Sequence, residues 1–470
     1  MTRKLLSSRS QKRPTECKGT HRYRLVMIVD DPTRFRWVFC QLETLRQCLP
    51  QNVRRTLNEL PESLDETYER VMTDIRRANQ PHAYRMFQCL AVATRPLTVA
   101  ELAELLAFDF DVAEGEIPKL NSNWRWEDHE QAVLSTCSSL ITIVPNDAGP
   151  VVQFSHFSVK EYLMSDRLAN SMGDISQYHI SLDDAHTLLA QASLSVLLRD
   201  PDVTNDADSA PLARYAAAHW VIHAQVENVV SRVHNGMEDL FDPDKPYFET
   251  WVRLHDIDFQ SQTFVTNAPD PEHGARPLYY AALCGFNEQV EHLTLKYPEY
   301  ASAAGGRWGT ALHSASFAGH LHVVHYLLRH GVGVDVRNSV DDTPLLLASW
   351  KAHHGVVQCL LEQGADTELR DMYSNSPLTL AAIWGQIGIL RLLLEHGANV
   401  NSRDEHRRTP LHQVLRYGIK LDVLRILLEH GADIDAEDND GETPLQVSLN
   451  TGHEEAARLL SGNYSKQAEM

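Results

Sequence analysis

The chain has 470 residues, 43% of them hydrophobic and 23% charged, with a formal net charge of -20. That length calls for more than one domain, and the acidic balance argues against general binding to nucleic acid, whose phosphates it would repel. Seven cysteines, odd in number and without a Cys-x-x-Cys pair, argue against a disulfide framework or a zinc site and fit free thiols in a reducing compartment.

The N-terminus (residues 1–30) is basic. Within residues 1–24, Arg3, Lys4, Arg9, Lys12, Arg13, Lys18, Arg22 and Arg24 face the single acid Glu16. The segment lacks apolar periodicity, which predicts a disordered, solvated tail, with a nuclear or mitochondrial address as the alternative. No apolar h-region follows the basic start, so no signal peptide is expected, and the aliphatic run 25–29 is far short of a membrane span. A cytoplasmic location is expected, with the nucleus open to a chain carrying this basic start.

Helical periodicity begins at Phe35 and runs through Val38, Phe39, Leu42, Leu45 and Leu49 to Pro50. A second helix starts at Ser63-Leu64-Asp65-Glu66, a capping box, and places Leu64, Tyr68, Val71, Met72 and Ile75 on one face. Residues 80–170 read as a compact α+β unit. One helix carries Tyr84, Phe87, Leu90 and Ala91 and stops at Arg95-Pro96. Another opens at Thr98 with Glu101 as its capping partner and buries Leu102, Leu105 and Leu106. A third covers 127–138. Two β-rich runs, 140–144 and 151–154, then flank Pro145-Asn146-Asp147-Ala148-Gly149-Pro150, a hairpin signal, and Ser158-Val159-Lys160-Glu161 starts a further capped helix. Three helices and a hairpin make the order of a winged helix. Its third helix carries Glu127, Asp128 and Glu130, which DNA phosphates would repel, so DNA binding is not expected.

Three blocks carry a family resemblance. They are Phe35-Arg36-Trp37-Val38-Phe39-Cys40-Gln41-Leu42, Leu60-Pro61-Glu62-Ser63-Leu64-Asp65-Glu66-Thr67-Tyr68, and Phe154-Ser155-His156-Phe157-Ser158-Val159-Lys160-Glu161-Tyr162-Leu163. They resemble successive parts of fungal NACHT–ankyrin (NLR-like) proteins, and the winged-helix part resembles the module named for GPI inositol-deacylase. Pro211-Leu212-Ala213-Arg214-Tyr215-Ala216-Ala217 and Gly305-Gly306-Arg307-Trp308-Gly309-Thr310-Ala311-Leu312 continue the likeness, which covers roughly residues 34 to 460. The resemblance implies a nucleotide-driven switch ahead of these blocks and ankyrin repeats as a sensing or docking arm. It also implies that His156 would report on a bound diphosphate if a nucleotide domain were present. The alternative is a histidine that hydrogen-bonds a neighbouring loop.

This chain departs from that family where the chemistry would reside. A phosphate-cradling loop needs Gly-Lys followed by Ser or Thr, and no Gly-Lys dipeptide occurs in the sequence. The aliphatic run ending in Asp30-Asp31 imitates a magnesium-holding strand, but a buried or edge strand explains it as well. No Gly-x-Ser-x-Gly elbow is present, so hydrolysis does not follow from the deacylase label. Neither a catalytic residue nor a cofactor nor a metal is expected. His320-Leu321-His322-x-x-His325 is the densest of the twenty-four histidines, yet no thiolate or clustered acid completes a coordination shell.

From Pro277 onward one unit recurs six times. Leu278, Leu312, Leu345, Leu378, Leu411 and Leu445 stand 33 or 34 residues apart, as do Gly331, Gly364, Gly397 and Gly431. Each unit reads Thr-Pro-Leu-x-x-Ala, a first helix, a Gly-His turn and a second helix ending Leu-Leu-x-x-Gly-Ala. This pattern is similar to the ankyrin repeat, with Thr409-Pro410-Leu411-His412 near its ideal. Threonine should cap the first helix and the terminal glycine should take the left-handed conformation. The end units depart from the pattern. The first breaks off at Pro298, and the last carries Glu454, Glu455 and Arg458 on its second helix. Ile419 marks an extra residue in one inter-helix turn.

The resemblance implies binding through the turn tips and the exposed end of the first helix. The outward positions are Leu283/Cys284, Phe317/Ala318, Trp350/Lys351, Ile383/Trp384 and Arg416/Tyr417, an aromatic in four consecutive units. Contact with a partner and packing against residues 211–260 or adjacent repeats both account for such a stripe. Tyr373, His406, Arg408, Asn439 and Glu442 would supply a polar rim.

A mainly α chain is therefore expected. It would comprise a basic N-terminus (1–30), a helical remnant (31–79), a winged helix (80–170), a helical linker domain (175–260), a linker (261–273), six ankyrin repeats (274–462) and a tail (463–470). Its expected role is a non-enzymatic adaptor that grips a protein with the concave face of the repeats, without nucleic acid or membrane. The alternative is a fragment, or a partner in trans, of a nucleotide-dependent switch.

Overall fold

The computed structural model describes residues 63–258 and 276–467, except 114, 138, 148, 172, 206–209 and 419. The predicted helix from Phe35 to Leu49, the Asp30-Asp31 strand, the basic segment, the linker 261–273 and the extra residue Ile419 lie outside the described residues. The described chain is mainly helical and divides into two units. One holds residues up to 106 with 123–188, the other 107–122 with everything from 189 onward.

In the first unit, Ser63 caps α1 (Leu64–Thr73) by accepting the Glu66 N–H at 3.2 Å. Tyr68 and Met72 are buried on its inner face. α2 (Gln80–Val92) buries Met86, Phe87 and Cys89 and ends ahead of Pro96. β1 (Leu97–Thr98) leads into α3 (Val99–Leu106), where the expected capping box forms: Glu101 N–H to Thr98 Oγ1 at 3.2 Å and Thr98 N–H to Glu101 Oε2 at 2.8 Å. Arg95 adds a fork onto the same buried carboxylate, 2.9 and 2.6 Å from its two oxygens, so the charge of Glu101 is matched where it is desolvated. Leu106 is half-buried, in contrast to Leu102 and Leu105.

Two short strands, β2 (Phe108–Asp109) and β3 (Lys119–Leu120), pair antiparallel within the second unit. In the first unit α4 (His129–Cys137) precedes the predicted hairpin. Its strands, β4 (Ile141–Val144) and β5 (Val151–Phe154), pair in the register Ile141↔Phe154 to Val144↔Val151. β1 joins the other edge of β5, giving the sheet order β1-β5-β4. α5 (Phe157–Leu163) and α6 (Asp166–Ala169) follow. The cap of α5 is His156, not Ser158 as the sequence suggested. An imidazole nitrogen accepts a backbone N–H as well as a hydroxyl does, and its position one residue ahead of Phe157 lets it reach Ser158 N–H.

The second unit continues from α7 (Leu182–Leu197), within which the division falls, through α8 (Pro201–Asn205), α9 (Ala213–Ala224), α10 (Val229–Phe241) and α11 (Tyr247–Leu254). Six helix pairs follow: α12 (Pro277–Cys284) with α13 (Asn287–Lys296), α14 (Ala311–Ala318) with α15 (Leu321–Arg329), α16 (Pro344–Trp350) with α17 (His354–Glu362), α18 (Pro377–Trp384) with α19 (Ile387–Glu395), α20 (Pro410–Tyr417) with α21 (Leu421–Glu429), and α22 (Pro444–Asn450) with α23 (Glu454–Gln467). The last helix runs through the stretch expected to be a tail from residue 463. A 3-10 turn, Pro298–Ala301, closes the first pair where the Gly-Ala terminator is missing.

The array's local rules hold residue by residue. Thr343 and Ser376 accept from Leu346 N–H and Thr379 N–H at 3.3 and 3.2 Å, with proline in the first turn behind them. Thr310 and Thr409 form a reciprocal box with the imidazoles of His313 and His412. The remaining nitrogen of each ring then reaches the next unit, Asp342 O at 3.1 Å and Glu442 O at 3.0 Å. One neutral imidazole thus joins a cap to an interface, and burial pushes His313 down to about 4. Gly331, Gly364, Gly397 and Gly431 take φ of 83 to 85°, the left-handed stop that a side chain would resist.

The array is seated on the helical domain by an aromatic cluster. Trp220 stacks on Phe286 at 5.4 Å and meets Trp251 edge-on at 5.2 Å, while Phe248 meets Tyr280 edge-on at 5.4 Å. The apolar run of Tyr247, Phe248, Trp251, Val252, Leu254 and Ile257 supplies only part of this seat. Only Phe248 and Trp251 are buried, and Trp220 and Phe241 from preceding helices complete it. A helix of eight residues turns one stripe inward, so the other members stay half-buried.

Candidate protein-binding face

Between helix pairs the chain makes a projecting turn, and one side chain folds each of the last four. Asn338 Oδ1 accepts from Val340 and Asp342 N–H at 3.0 and 2.8 Å. Asp371 does the same for Tyr373 and Asn375 at 2.9 and 2.8 Å, and Asp404 for His406 and Arg408 at 2.8 Å each. Asp438 does so for Asp440 and Glu442 at 3.0 Å each. These bonds fix the tips before any partner arrives, which lowers the ordering cost of binding. Tyr373, 66% exposed, and the exposed His406 stand on two of them. The third turn residue is left-handed in each case, with φ of 64° at Asp341, 63° at Ser374, 59° at Arg407 and 72° at Gly441.

A second row of bonds orients the ends of the first helices. His320 Nε2 reaches Leu283 O at 3.0 Å, His353 Nε2 reaches Phe317 O at 2.8 Å, Gln386 Nε2 donates to Trp350 O at 3.0 Å and Lys420 Nζ donates to Trp384 O at 2.5 Å. Each carbonyl belongs to a residue of the predicted outward pair, so the stripe is held by the unit that follows it.

The stripe itself divides. Phe317 is half-buried, stacked on Trp308 at 3.9 Å, and Trp350 lies 5.9 Å from both rings. Lys351 is exposed, with Nζ 4.6 Å from the Phe317 ring and 4.5 Å from the Trp350 ring. Further along, Trp384 is 54% and Tyr417 69% exposed. Arg416 is spent on Asp438 and Glu442, at 3.4 and 3.1 Å. Arg408 is not the exposed rim residue expected. It is half-buried, with Nε 3.8 Å from the buried Asp438 carboxylate. Cys284 is buried as well, because α12 lies under the helical domain and Gln225 donates to Cys284 O at 2.8 Å. Trp308 and Arg307 join this cluster without standing at an outward position of the period. Their signal in the sequence is Trp-Gly directly before Thr310, where other units carry Asp341-Asp342, Ser374-Asn375, Arg407-Arg408 and Gly441-Glu442. The outward positions also leave out Met372 and Leu449, exposed by 59% and 62%.

The other singled-out residues have local partners. His156 Nδ1 lies 2.6 Å from Ser158 Oγ, which lies 2.8 Å from Tyr68 Oη, so the imidazole bonds to its own helix start. His320 is tied to Leu283 O, whereas His322 lies 3.7 Å from Glu291, so the His320, His322 and His325 motif does not converge. Among the described residues no group of three His, Cys, Asp or Glu side chains is placed to hold a metal ion. The described cysteines are buried, and desolvation pushes the Cys89 thiol up to about 12, away from nucleophilic chemistry. No described helix is long and apolar enough to cross a membrane.

Comparison with known proteins agrees with this arrangement. The family model for ankyrin repeats matches residues 278–371, 312–404 and 378–469. The model for the GPI inositol-deacylase winged helix domain matches 68–174, which begins inside α1 and ahead of the boundary expected at 80. Tyr68 Oη, bonded to Ser158 Oγ, shows why α1 belongs with that unit. The chain is also similar to the azaphilone pigments biosynthesis cluster protein L of Monascus ruber, 31% identical over 299 residues. That match covers 59% of this chain and 61% of the relative, so this chain spans less than two thirds of it.

Proposed function

We propose that this chain, which carries a GPI inositol-deacylase-type winged-helix domain followed by ankyrin repeats, is a non-enzymatic adaptor that grips another protein with the concave face of its array. The observation that carries the reading is the pair Trp384 and Tyr417. They are large rings on one row of first-helix ends, more than half exposed, beside turns already fixed by Asp371 and Asp404. Rings of this kind supply contact area at small entropic cost. The lack of a Gly-Lys dipeptide and of a Gly-x-Ser-x-Gly elbow in these residues supports the non-catalytic part. In this reading the winged-helix part is a regulatory module of the NACHT–ankyrin kind, with His156 occupied as a helix cap.

The test is affinity capture with the full chain against a Trp384→Ala/Tyr417→Ala variant. Loss of the captured partner with an unchanged melting temperature is expected. An identical captured set would remove the binding face from these rings, and ATP turnover by the purified chain would end the non-enzymatic reading.

A further inference from the structure

The loop between the first two helix pairs is built unlike the others. Gly306 and Gly309 bridge to each other, and Trp308 takes the place held by Asp341, Ser374, Arg407 and Gly441 in the other turns. Gly306 is required here: a Cβ would lie 2.7 Å from Tyr279 Cζ and 2.8 Å from Asp258 Oδ2. The loop lays the Trp308 ring flat on Phe317, with Trp350 tilted against both, forming an aromatic shelf across two repeats. Two cations lie over it. Arg307 Cζ is 4.8 Å from the Trp308 ring, and Lys351 Nζ is within 4.6 Å of Phe317 and Trp350.

The two cations are differently provided for. The charge of Arg307 acts on the buried Asp258 carboxylate, which separately accepts the Arg307 backbone N–H at 2.7 Å. Lys351 has no carboxylate within ion-pair distance among the described residues, and partial burial together with the charge of Arg307 pushes its ammonium below the usual lysine range. A cation held over rings beside a second cation is stabilised when an anion arrives. One repeat further along the face Trp384 is exposed, and Tyr417 follows on the next.

We infer that Lys351, on the shelf of Trp308, Phe317 and Trp350, receives a carboxylate of the bound protein, so that the partner presents an extended acidic segment with apolar side chains beyond it. This rests on the protein-binding reading above. Neighbouring helices stand about 10 Å apart, so the apolar contact for Trp384 falls about three residues of extended chain from the acid. Overall acidity does not oppose this, because exposed charges beyond a Debye length are screened.

The experiment pans a random-peptide library over the full chain, over Lys351→Met, which keeps the stem on the rings, and over Lys351→Glu. Peptides enriched on the unaltered chain are expected to carry Asp or Glu near an apolar residue. They should bind Lys351→Met at least about tenfold more weakly, and Lys351→Glu should enrich basic peptides instead. The melting temperature of Lys351→Met should equal or exceed that of the unaltered chain, since a repelled charge is gone. Peptides enriched without acidic bias, equal binding to Lys351→Met, binding only after phosphorylation, or a clear fall in melting temperature would each overturn the assignment while leaving protein binding intact. A chain that enriches no peptide at all would overturn both.

Discussion

The Tyr279 hydroxyl donates to Asp258 Oδ2 at 2.8 Å and accepts from Trp308 N–H at 3.1 Å, joining the helical domain, the first helix pair and the atypical loop at one oxygen. Asp258 is nearly fully buried, and its carboxylate also takes Arg307 N–H. Tyr279→Phe leaves two buried groups short of a partner at once. A loss of about 2 to 4 kcal/mol is expected. Hydrogen exchange of α12 and the Arg307 loop should report it, with the winged-helix unit unchanged.

Acidity should act on the same junction with a definite sign. Burial pushes Asp258 up to about 6, with Asp256 adding to the rise, while the bonds from Arg307 and Tyr279 pull the other way. A carboxyl raised above its free value binds its proton more readily when folded. Its stabilising contribution is therefore present below pH 4 and lost as pH rises through 6. Burial of His313, held down to about 4, works in the opposite direction: stability is lost as pH falls from 6.5 towards 4. Asp342, also raised to about 6, sides with Asp258. Asp258→Asn removes up to about 3 kcal/mol of one side of this balance. The variant should lose stability on acidification between pH 6.5 and 4 more steeply than the unaltered chain, and identical profiles would contradict the raised carboxyl.

The stripe's division predicts two classes of ring. Phe317→Ala and Trp350→Ala break a packed cluster and should cost about 2 kcal/mol each, near half the value for a fully buried ring. Trp384→Ala and Tyr417→Ala should change stability by less than about 0.5 kcal/mol. Denaturation of the four variants checks it, and four equal losses would show that the exposed rings also hold the fold.

Ala352 has φ of 66° at a turn where Gly319, Gly385 and Gly452 occupy the corresponding place. A Cβ there strains the backbone, so Ala352→Gly should raise stability by about 0.5 to 1 kcal/mol. Gly319→Ala should do the reverse, because its Cβ would lie 2.6 Å from His353 Cε1. Melting temperatures of the pair should move in opposite directions.

The elements whose form depends on neighbours in sequence were legible. Thr98 and Glu101 cap α3 as their spacing requires, and Thr409-Pro410 starts α20 as a capped first turn should. What could not be read depends on residues far apart in the chain. Phe317 and Trp350 hold outward positions by period, but whether they face solvent was settled by Trp308 in an irregular loop. The seat needed Trp220 and Phe241, contributed by helices whose own patterns said nothing of the array. His156 was missed as a cap because imidazole is uncommon in that role. Arg408 has the sequence position of a rim residue, but the buried Asp438, 30 residues on in the chain, draws it inward: its Nε lies 3.8 Å from that carboxylate.

The row of bonds from His320, His353, Gln386 and Lys420 runs in one sense only, each donor belonging to the later unit and each acceptor to the earlier one. The aromatic seat fastens the earliest of these units. Under tension applied at both ends of the repeats, rupture should begin at the far terminus and proceed backward in steps of one helix pair. The surface around Lys351 would then stay shaped after Tyr417 has been pulled away.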